Sequence, residues 1–185
     1  MSAQPKLNGS PPARTLELLD SEDGEFSVFG WQNTTIVVWP QQATGTAVRR
    51  LAKVTAAKAL EFREGFSNVH VVKNGAGMPT PEARAGFVEM MEKHCKELAC
   101  VGTVLLGSGF WVSALQSVTT GMRMISPRSF DHRINNSFEA LVSWLPKEHR
   151  KRTGVSLESR ELLAALTKAY ERTIGELEKS TVTHS

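Results

Sequence analysis

Hydrophobic and polar positions along the chain follow two patterns, one typical of strands and the other of helices. Residues 34–39 are β-branched and almost wholly apolar, as in a central strand that is covered on both faces. Residues 68–72 and 100–106 form two further short strand candidates. Each of these is followed by a segment whose apolar residues recur at helical spacing. The pattern therefore predicts buried strands that alternate with helices.

Two shorter strands are predicted before this alternation begins. Residues 15–19 form a strand candidate that ends in a turn at Asp20–Gly24, and residues 26–30 form the next strand. Gly30–Asn33 has the composition of a hairpin turn that leads into the central strand. The N-terminal part of the sheet is therefore predicted to be antiparallel.

Capping residues mark where the first two helices begin. Thr44 or Thr46 can cap a helix that continues to Gly65. Residues 80–82 (Thr-Pro-Glu) start the second helix with a capping hydroxyl, a proline at the first helical position and an acid near the positive end of the helix dipole.

The second half adds two helices and a short strand. Residues 110–122 are predicted to form a helix rich in small and hydroxyl side chains, and residues 132–134 a short strand. A further helix, capped by Asn136 or Ser137, continues to Leu145. This order predicts an α/β fold whose sheet is mostly parallel with right-handed crossovers and has an antiparallel N-terminal hairpin.

Composition divides the chain into one domain with additional segments. Pro146 is predicted to end the compact part, and the cations that follow it are interpreted as a solvated linker. The predicted parts are a disordered lead-in (1–13), the domain (14–146), the basic linker (147–154), an amphipathic C-terminal helix (155–179) and a tail (180–185).

The C-terminal helix is predicted from an apolar stripe. Within Ser156–Glu178, apolar residues recur at intervals of three, four, four and three: Leu163, Leu166, Tyr170, Ile174 and Leu177. Such a stripe is stable in water only when it is covered. Packing on the chain's own domain is the commoner outcome, and packing on a partner is the alternative.

Composition and charge exclude several classes of protein. The chain has 185 residues, is 41% hydrophobic and carries a formal net charge of +3, which suits one globular domain and does not indicate a nucleic-acid binder. Its two cysteines, Cys95 and Cys100, are too few for a zinc knuckle or a disulfide framework. We find neither a signal peptide nor a bilayer-spanning segment, so a cytoplasmic protein is expected.

Candidate catalytic motifs are incomplete. Gly75-Ala76-Gly77 lacks the Gly-Lys-Ser/Thr of a P-loop, and Thr80 stands where a dinucleotide fingerprint needs its third glycine. Ser108 lies between two glycines but lacks the Gly-x-Ser-x-Gly of a nucleophile elbow. The histidines show no metal-ligand spacing, and His70 is interpreted as a satisfied strand histidine. We therefore predict no catalytic residue, metal or cofactor, with a Ser108-dependent hydrolase as the least favoured alternative.

The last third of the predicted domain resembles a known family. Residues 109–121 (GFWVSALQSVTTG), 130–134 (FDHRI) and 137–145 (SFEALVSWL) are similar to the end of many small bacterial STAS-like proteins, a family named for sulphate transporters and anti-sigma-factor antagonists. The resemblance covers residues 15–145. It implies a non-enzymatic scaffold or regulatory domain in signalling that binds a protein partner or itself. The CRAL-TRIO type shares this architecture and implies the alternative, binding of a small apolar ligand or lipid.

The resemblance also indicates which residues bind a partner. STAS-like domains dock other proteins at the loop and helix after a central strand, and many carry Asp-Ser-Ser-Gly there. In this chain Thr80 is the only hydroxyl of that turn, so Thr80 is the candidate for phosphorylation. The predicted partner-binding residues lie in this turn and in the C-terminal stripe: Asn74, Gly75, Gly77, Met78, Thr80, Leu163, Leu166 and Tyr170.

Overall fold

The computed structural model describes residues 15–125 and 130–183, and the lead-in predicted for residues 1–13 lies outside this range. Six strands form one sheet in which the order across the sheet equals the order along the chain. The strands are β1 (Glu17–Glu22), β2 (Phe26–Trp31), β3 (Thr34–Trp39), β4 (Phe66–Val72), β5 (Leu98–Leu105) and β6 (Asp131–Asn135). The helices are α1 (Gly45–Glu61), α2 (Pro81–Lys93), α3 (Phe110–Ile125), α4 (Phe138–Val142), α5 (Leu145–Thr153) and α6 (Ser159–Thr183).

The sheet combines an antiparallel N-terminal part with a parallel remainder, as predicted. β1, β2 and β3 pair antiparallel, and β3 to β6 pair parallel. Gln32 and Asn33 form the two-residue connection between β2 and β3, where Gln32 adopts a left-handed φ of 49°. β3 and β5 are buried along their whole length, which explains their nearly continuous apolar sequences.

Helices α1 and α2 cover one face of the sheet. Their side chains Leu51, Phe87 and Met90 pack with Val37 and Trp39 of β3 in a single buried cluster. Helix α3 lies on the same side, because its residues 115 and 119 border a cavity that reaches the sheet there. All three helices that connect parallel strands therefore lie on one face.

Helices α4, α5 and α6 cover the opposite face. Leu141 of α4, Leu145 of α5 and Leu166 of α6 are each 0% exposed and pack with Ile36 and Val69 of the sheet. The predicted fold class, an α/β sheet with an antiparallel hairpin and a C-terminal helix, is confirmed. Of the predicted stripe of the C-terminal helix, only Leu166 is buried, and the other four residues are partly exposed. The face of α6 that the domain covers is made by Leu162, Ala165, Leu166, Ala169 and Thr173.

Side-chain caps begin three of the helices at residues that the sequence proposes. The hydroxyl oxygens of Thr44, Thr80 and Ser137 each accept a hydrogen bond of 3.1 Å from the backbone N–H three residues later. Of the paired alternatives, Thr44 and Ser137 are the caps, and Thr46 and Asn136 are not.

The basic segment that was interpreted as a linker forms a helix in the structure. α5 covers Leu145–Thr153, with Pro146 in its first turn, where a missing N–H costs no hydrogen bond. Gly154 ends α5 in the left-handed region at φ 75°. The cations lie mostly on the solvent side, whereas His149 on the other side is fully buried.

Two further boundaries differ from the predicted ones. β1 continues to Glu22, into the predicted turn at Asp20–Gly24, because Glu22 still pairs with Phe26 of β2. The guanidinium of Arg50 also binds the carboxylates of Asp20 and Glu22. α6 begins at Ser159 rather than Ser156 and continues to Thr183, into the predicted tail.

Candidate functional site

A cavity lies at the carboxyl ends of the parallel strands, on the face covered by α1, α2 and α3. The sheet residues that line it come from four neighbouring strands: Trp39, His70, Val72, Val101, Thr103 and His132. The helices and loops above the sheet contribute Gln41, Ala43, Gly77, Pro79, Phe87, Met91, Leu115 and Thr119. Ligands of open α/β sheets bind beyond the carboxyl ends of the strands, so this is the position at which the fold favours a binding site.

The cavity is small and opens between two loops. Its volume is about 70 Å³, and the exposed residues Gln41 and Gly77 form part of its rim. An apolar cavity that holds a benzene ring in another protein measures about 150 Å³. A ligand with one aromatic ring would therefore fill the cavity and extend outward between the loops.

Three ring side chains form the inner wall. The rings of Trp39 and His70 are stacked at 6.3 Å between centroids, and Phe87 meets both edge to face, at 5.7 Å and 5.6 Å. Trp39 Nε1 donates a hydrogen bond of 3.2 Å to His70 Nδ1. Desolvation and, to a lesser extent, the nearby His132 lower the pKa of His70 to about 3. His70 is therefore neutral at physiological pH.

The remaining polar groups lie on β5, β6 and α3. Thr103 Oγ1 and His132 Nε2 are 3.0 Å apart, within hydrogen-bond distance. Thr119 Oγ1 donates a hydrogen bond of 2.9 Å to the carbonyl of Leu115 in its own helix. Among the described residues that line the cavity there is no Asp, Glu, Lys or Arg. The site therefore has aromatic and aliphatic walls, a few neutral polar groups and no formal charge.

The turn that was predicted to bind a partner forms one side of the opening. Asn74, Gly75 and Gly77 are exposed, and Met78 and Thr80 are partly buried. Gln42 Nε2 donates a hydrogen bond of 2.5 Å to the carbonyl of Met78, which joins this turn to the loop after β3.

The Thr80 hydroxyl already has a structural role in that turn. Its oxygen accepts a hydrogen bond from the N–H of Ala83 and so caps α2. The Thr80 N–H donates to the carbonyl of Ala43, which gives a second link between the two loops at the opening. Phosphorylation of Thr80 would change this cap.

The predicted partner-binding residues of the C-terminal helix lie elsewhere. Leu163 and Tyr170 are partly exposed, and Leu166 is 0% exposed inside the domain. Tyr170 packs edge to face on Phe138 of α4 at 6.1 Å. The side chain of Leu166 is therefore occupied by the domain itself, and a partner can reach only the partly exposed pair.

Ser108, the candidate nucleophile of the least favoured alternative, is exposed on the loop after β5 between Gly107 and Gly109. Both glycines have positive φ values, 116° and 84°. His132 lines the cavity, and its Nε2 is 3.0 Å from Thr103 Oγ1.

A second polar cluster lies on the opposite face of the sheet and is closed to solvent. His149 Nδ1 is 2.7 Å from Ser67 Oγ, and His149 Nε2 is 3.0 Å from Asn33 Oδ1. Ser67 Oγ is also 3.1 Å from Cys100 Sγ. A hydroxyl on one imidazole nitrogen and a side-chain oxygen on the other is an arrangement that catalytic triads also have. However, these three side chains are 0%, 0% and 1% exposed, so the cluster fixes α5 to the sheet and is not a substrate site.

Burial also changes the pKa values in this second cluster. Desolvation lowers the pKa of His149 to about 4. It raises the pKa of the Cys100 thiol to about 12, against the opposing hydrogen bond from Ser67. The imidazole and the thiol are therefore both neutral at physiological pH.

The sequence analysis missed the cavity because each of its polar residues looks ordinary when taken alone. The sheet register brings them together: His70 pairs with Thr103, and Val101 pairs with His132. The available signal was a polar residue on the same face of each of three consecutive parallel strands.

No protein-family model matches the chain, and no curated protein matches it significantly. Among residues 15–125 and 130–183, none of the helices combines the length and apolar character needed to cross a membrane. The same residues contain no group of three or more His, Cys, Asp or Glu side chains that could hold a metal ion.

Proposed function

We propose that this chain is a small-molecule-binding domain that takes an uncharged, mostly apolar ligand near the carboxyl ends of β3, β4 and β5. The observation that carries this proposal is the uncharged cavity between the sheet and helices α2 and α3. Small-molecule sites are mostly concave and apolar, with a small number of polar groups that orient the ligand. The cavity has this composition.

The position of the cavity supports the same proposal. The strand ends, two connecting loops and α3 meet there, and this is where sheets of this kind bind ligands. Its inner wall is held by the stacked rings of Trp39 and His70, so a ligand does not have to order these side chains on binding.

A second candidate function, protein interaction through the turn at residues 74–80, is favoured by a specific observation. Gly77 and Pro79 of this turn line the cavity, while Asn74 and Gly75 are exposed next to it. A ligand that moves the turn would change the surface that a partner meets. The STAS-like identity, regulatory role, self-association and cytoplasmic location predicted from the sequence remain proposals that agree with such a ligand-responsive interaction domain.

The proposal is tested by filling the cavity. Val72→Phe places a larger side chain at its wall, whereas Leu60→Phe makes the same kind of change at a side chain that is 77% exposed on α1. Benzene and pyridine are titrated into each protein while the indole N–H signal of Trp39 is followed by NMR.

We expect saturable shifts in wild type and in Leu60→Phe, and none in Val72→Phe, with folding of each variant confirmed by the dispersion of its spectrum. Shifts that persist in Val72→Phe, or no shift in wild type, would overturn the proposal.

A further inference from the structure

The hydrogen bond between Trp39 and His70 determines which nitrogen of His70 carries the proton. The indole N–H is a donor only, so the His70 Nδ1 that it meets at 3.2 Å must act as an acceptor. A neutral imidazole has one N–H, which is then on Nε2. His70 therefore presents a fixed hydrogen-bond donor at Nε2.

This donor lies at the cavity wall without a protein acceptor. His70 is 8% exposed and lines the cavity, and no hydrogen bond joins its Nε2 to another residue in the described part of the chain. The large majority of side-chain polar groups in protein interiors have a hydrogen-bond partner. The acceptor is therefore expected to come from whatever occupies the cavity.

We propose that His70 Nε2–H recognises a hydrogen-bond acceptor, such as a carbonyl oxygen or a heteroaromatic nitrogen, on a compact uncharged ligand. This inference rests on the proposed function and specifies the ligand class of the same site. Among the other polar groups of the wall, the Thr119 hydroxyl donates to its own helix, and Thr103 and His132 lie at hydrogen-bond distance from each other.

The electrostatics of the cavity exclude charged ligands. An anion would find no Lys or Arg among the described lining residues, and a cation would find no carboxylate and would face the N–H of His70. Burial of a charge without a partner is strongly unfavourable. The ligand class is therefore neutral, with an acceptor positioned against His70 and apolar atoms against Trp39 and Phe87.

Four compounds of similar ring size separate these possibilities. Pyridine has an acceptor and benzene has none, pyrrole has a donor only, and benzoate is an anion. We expect pyridine to bind wild type at least about three-fold more tightly than benzene, which is within the range of one neutral hydrogen bond. Pyrrole and benzoate should bind no better than benzene. Dissociation constants are measured from the Trp39 indole shift.

Two variants test whether His70 is the donor. His70→Phe removes the N–H and keeps a ring, so it should abolish the preference for pyridine over benzene. Thr119→Val removes another polar group of the cavity and should preserve the preference. If His70→Phe does not fold, long-range ¹H–¹⁵N NMR on wild type replaces it and should show a proton on Nε2, with a signal that moves when pyridine is added.

The outcomes distinguish this inference from the function on which it rests. Equal affinity for benzene and pyridine, tighter binding of benzoate, or a proton on Nδ1 would overturn the assignment of His70 while the cavity remains a binding site. Absence of binding by all four compounds would overturn the proposed function itself.

Discussion

Acid should destabilise this protein through two buried histidines before its carboxylates titrate. Burial lowers the pKa of His149 to about 4 and that of His70 to about 3, whereas both groups regain an ordinary value in the unfolded chain. As the pH falls below about 6.5, these histidines bind protons in the unfolded state and remain neutral in the folded state. The contribution of the two neutral histidines to the free energy of unfolding is therefore complete above that pH. It decreases as the pH falls towards their pKa values in the folded state.

The magnitude follows from linkage and depends little on the folded pKa values. Because both lie at or below about 4, each histidine lowers the free energy of unfolding by about 2 kcal/mol between about pH 7 and about pH 5. The two together account for about 4 kcal/mol, a large share of the 5–15 kcal/mol that is typical of a domain.

Urea unfolding followed by tryptophan fluorescence measures this effect at each pH. His149→Gln replaces the imidazole by an amide, which does not titrate in this range. The decrease in the free energy of unfolding between about pH 7 and about pH 5 should therefore be about half of that in wild type. Lys151→Gln, a change at an exposed residue of the same helix, should keep the full loss. A pH dependence in His149→Gln as steep as in wild type would refute the reasoning, as would a wild-type loss below about 1 kcal/mol.

Three further experiments, two with substitutions and one with a thiol reagent, test the packing of the face covered by α4 to α6. Gly102→Ala places a Cβ 2.4 Å from Leu141 Cδ1, so it should lower the free energy of unfolding by about 1–3 kcal/mol in urea titration, and Leu141→Ala in the same chain should recover part of that loss. Iodoacetamide should modify Cys95 well before Cys100 in the folded protein, as followed by mass spectrometry, and equal rates would show that Cys100 is accessible. Leu166→Asp should cost about 2 kcal/mol or more, because Leu166 is 0% exposed. Thermal melting checks this change, and an unchanged melting temperature would contradict the placement of α6.

The strands and most helix starts could be predicted because their causes are local. Residues 34–39 are β-branched or aromatic throughout and mostly apolar, as in a strand that is covered on both faces. Thr44, Thr80 and Ser137 each lie directly before a helix and cap it with their own side chains. Such signals act within a few residues and need no knowledge of the fold.

Helix α5 and the cavity could not be predicted because their causes are distant in the sequence. α5 is rich in cations and follows closely after another short helix, so its composition favours a solvated linker. What holds it is the contact of His149 with Ser67 and Asn33, which are 82 and 116 residues away along the chain. The cavity depends likewise on the register that brings His70 and His132 to the same face near Thr103.

The agreement between strand order in the sheet and order in the chain has a consequence for synthesis on the ribosome. Each new strand can add to the exposed edge of the strands already made, without inserting between them. One face of the sheet is covered only later, because the helices that pack on it, α4, α5 and α6, all follow the last strand. Until residues 138–183 have emerged, the nascent chain carries a sheet with one uncovered apolar face, which includes Ile36, Val69 and Val104. Such transiently exposed apolar surface favours aggregation, so the late stage of translation is when this protein most needs a chaperone.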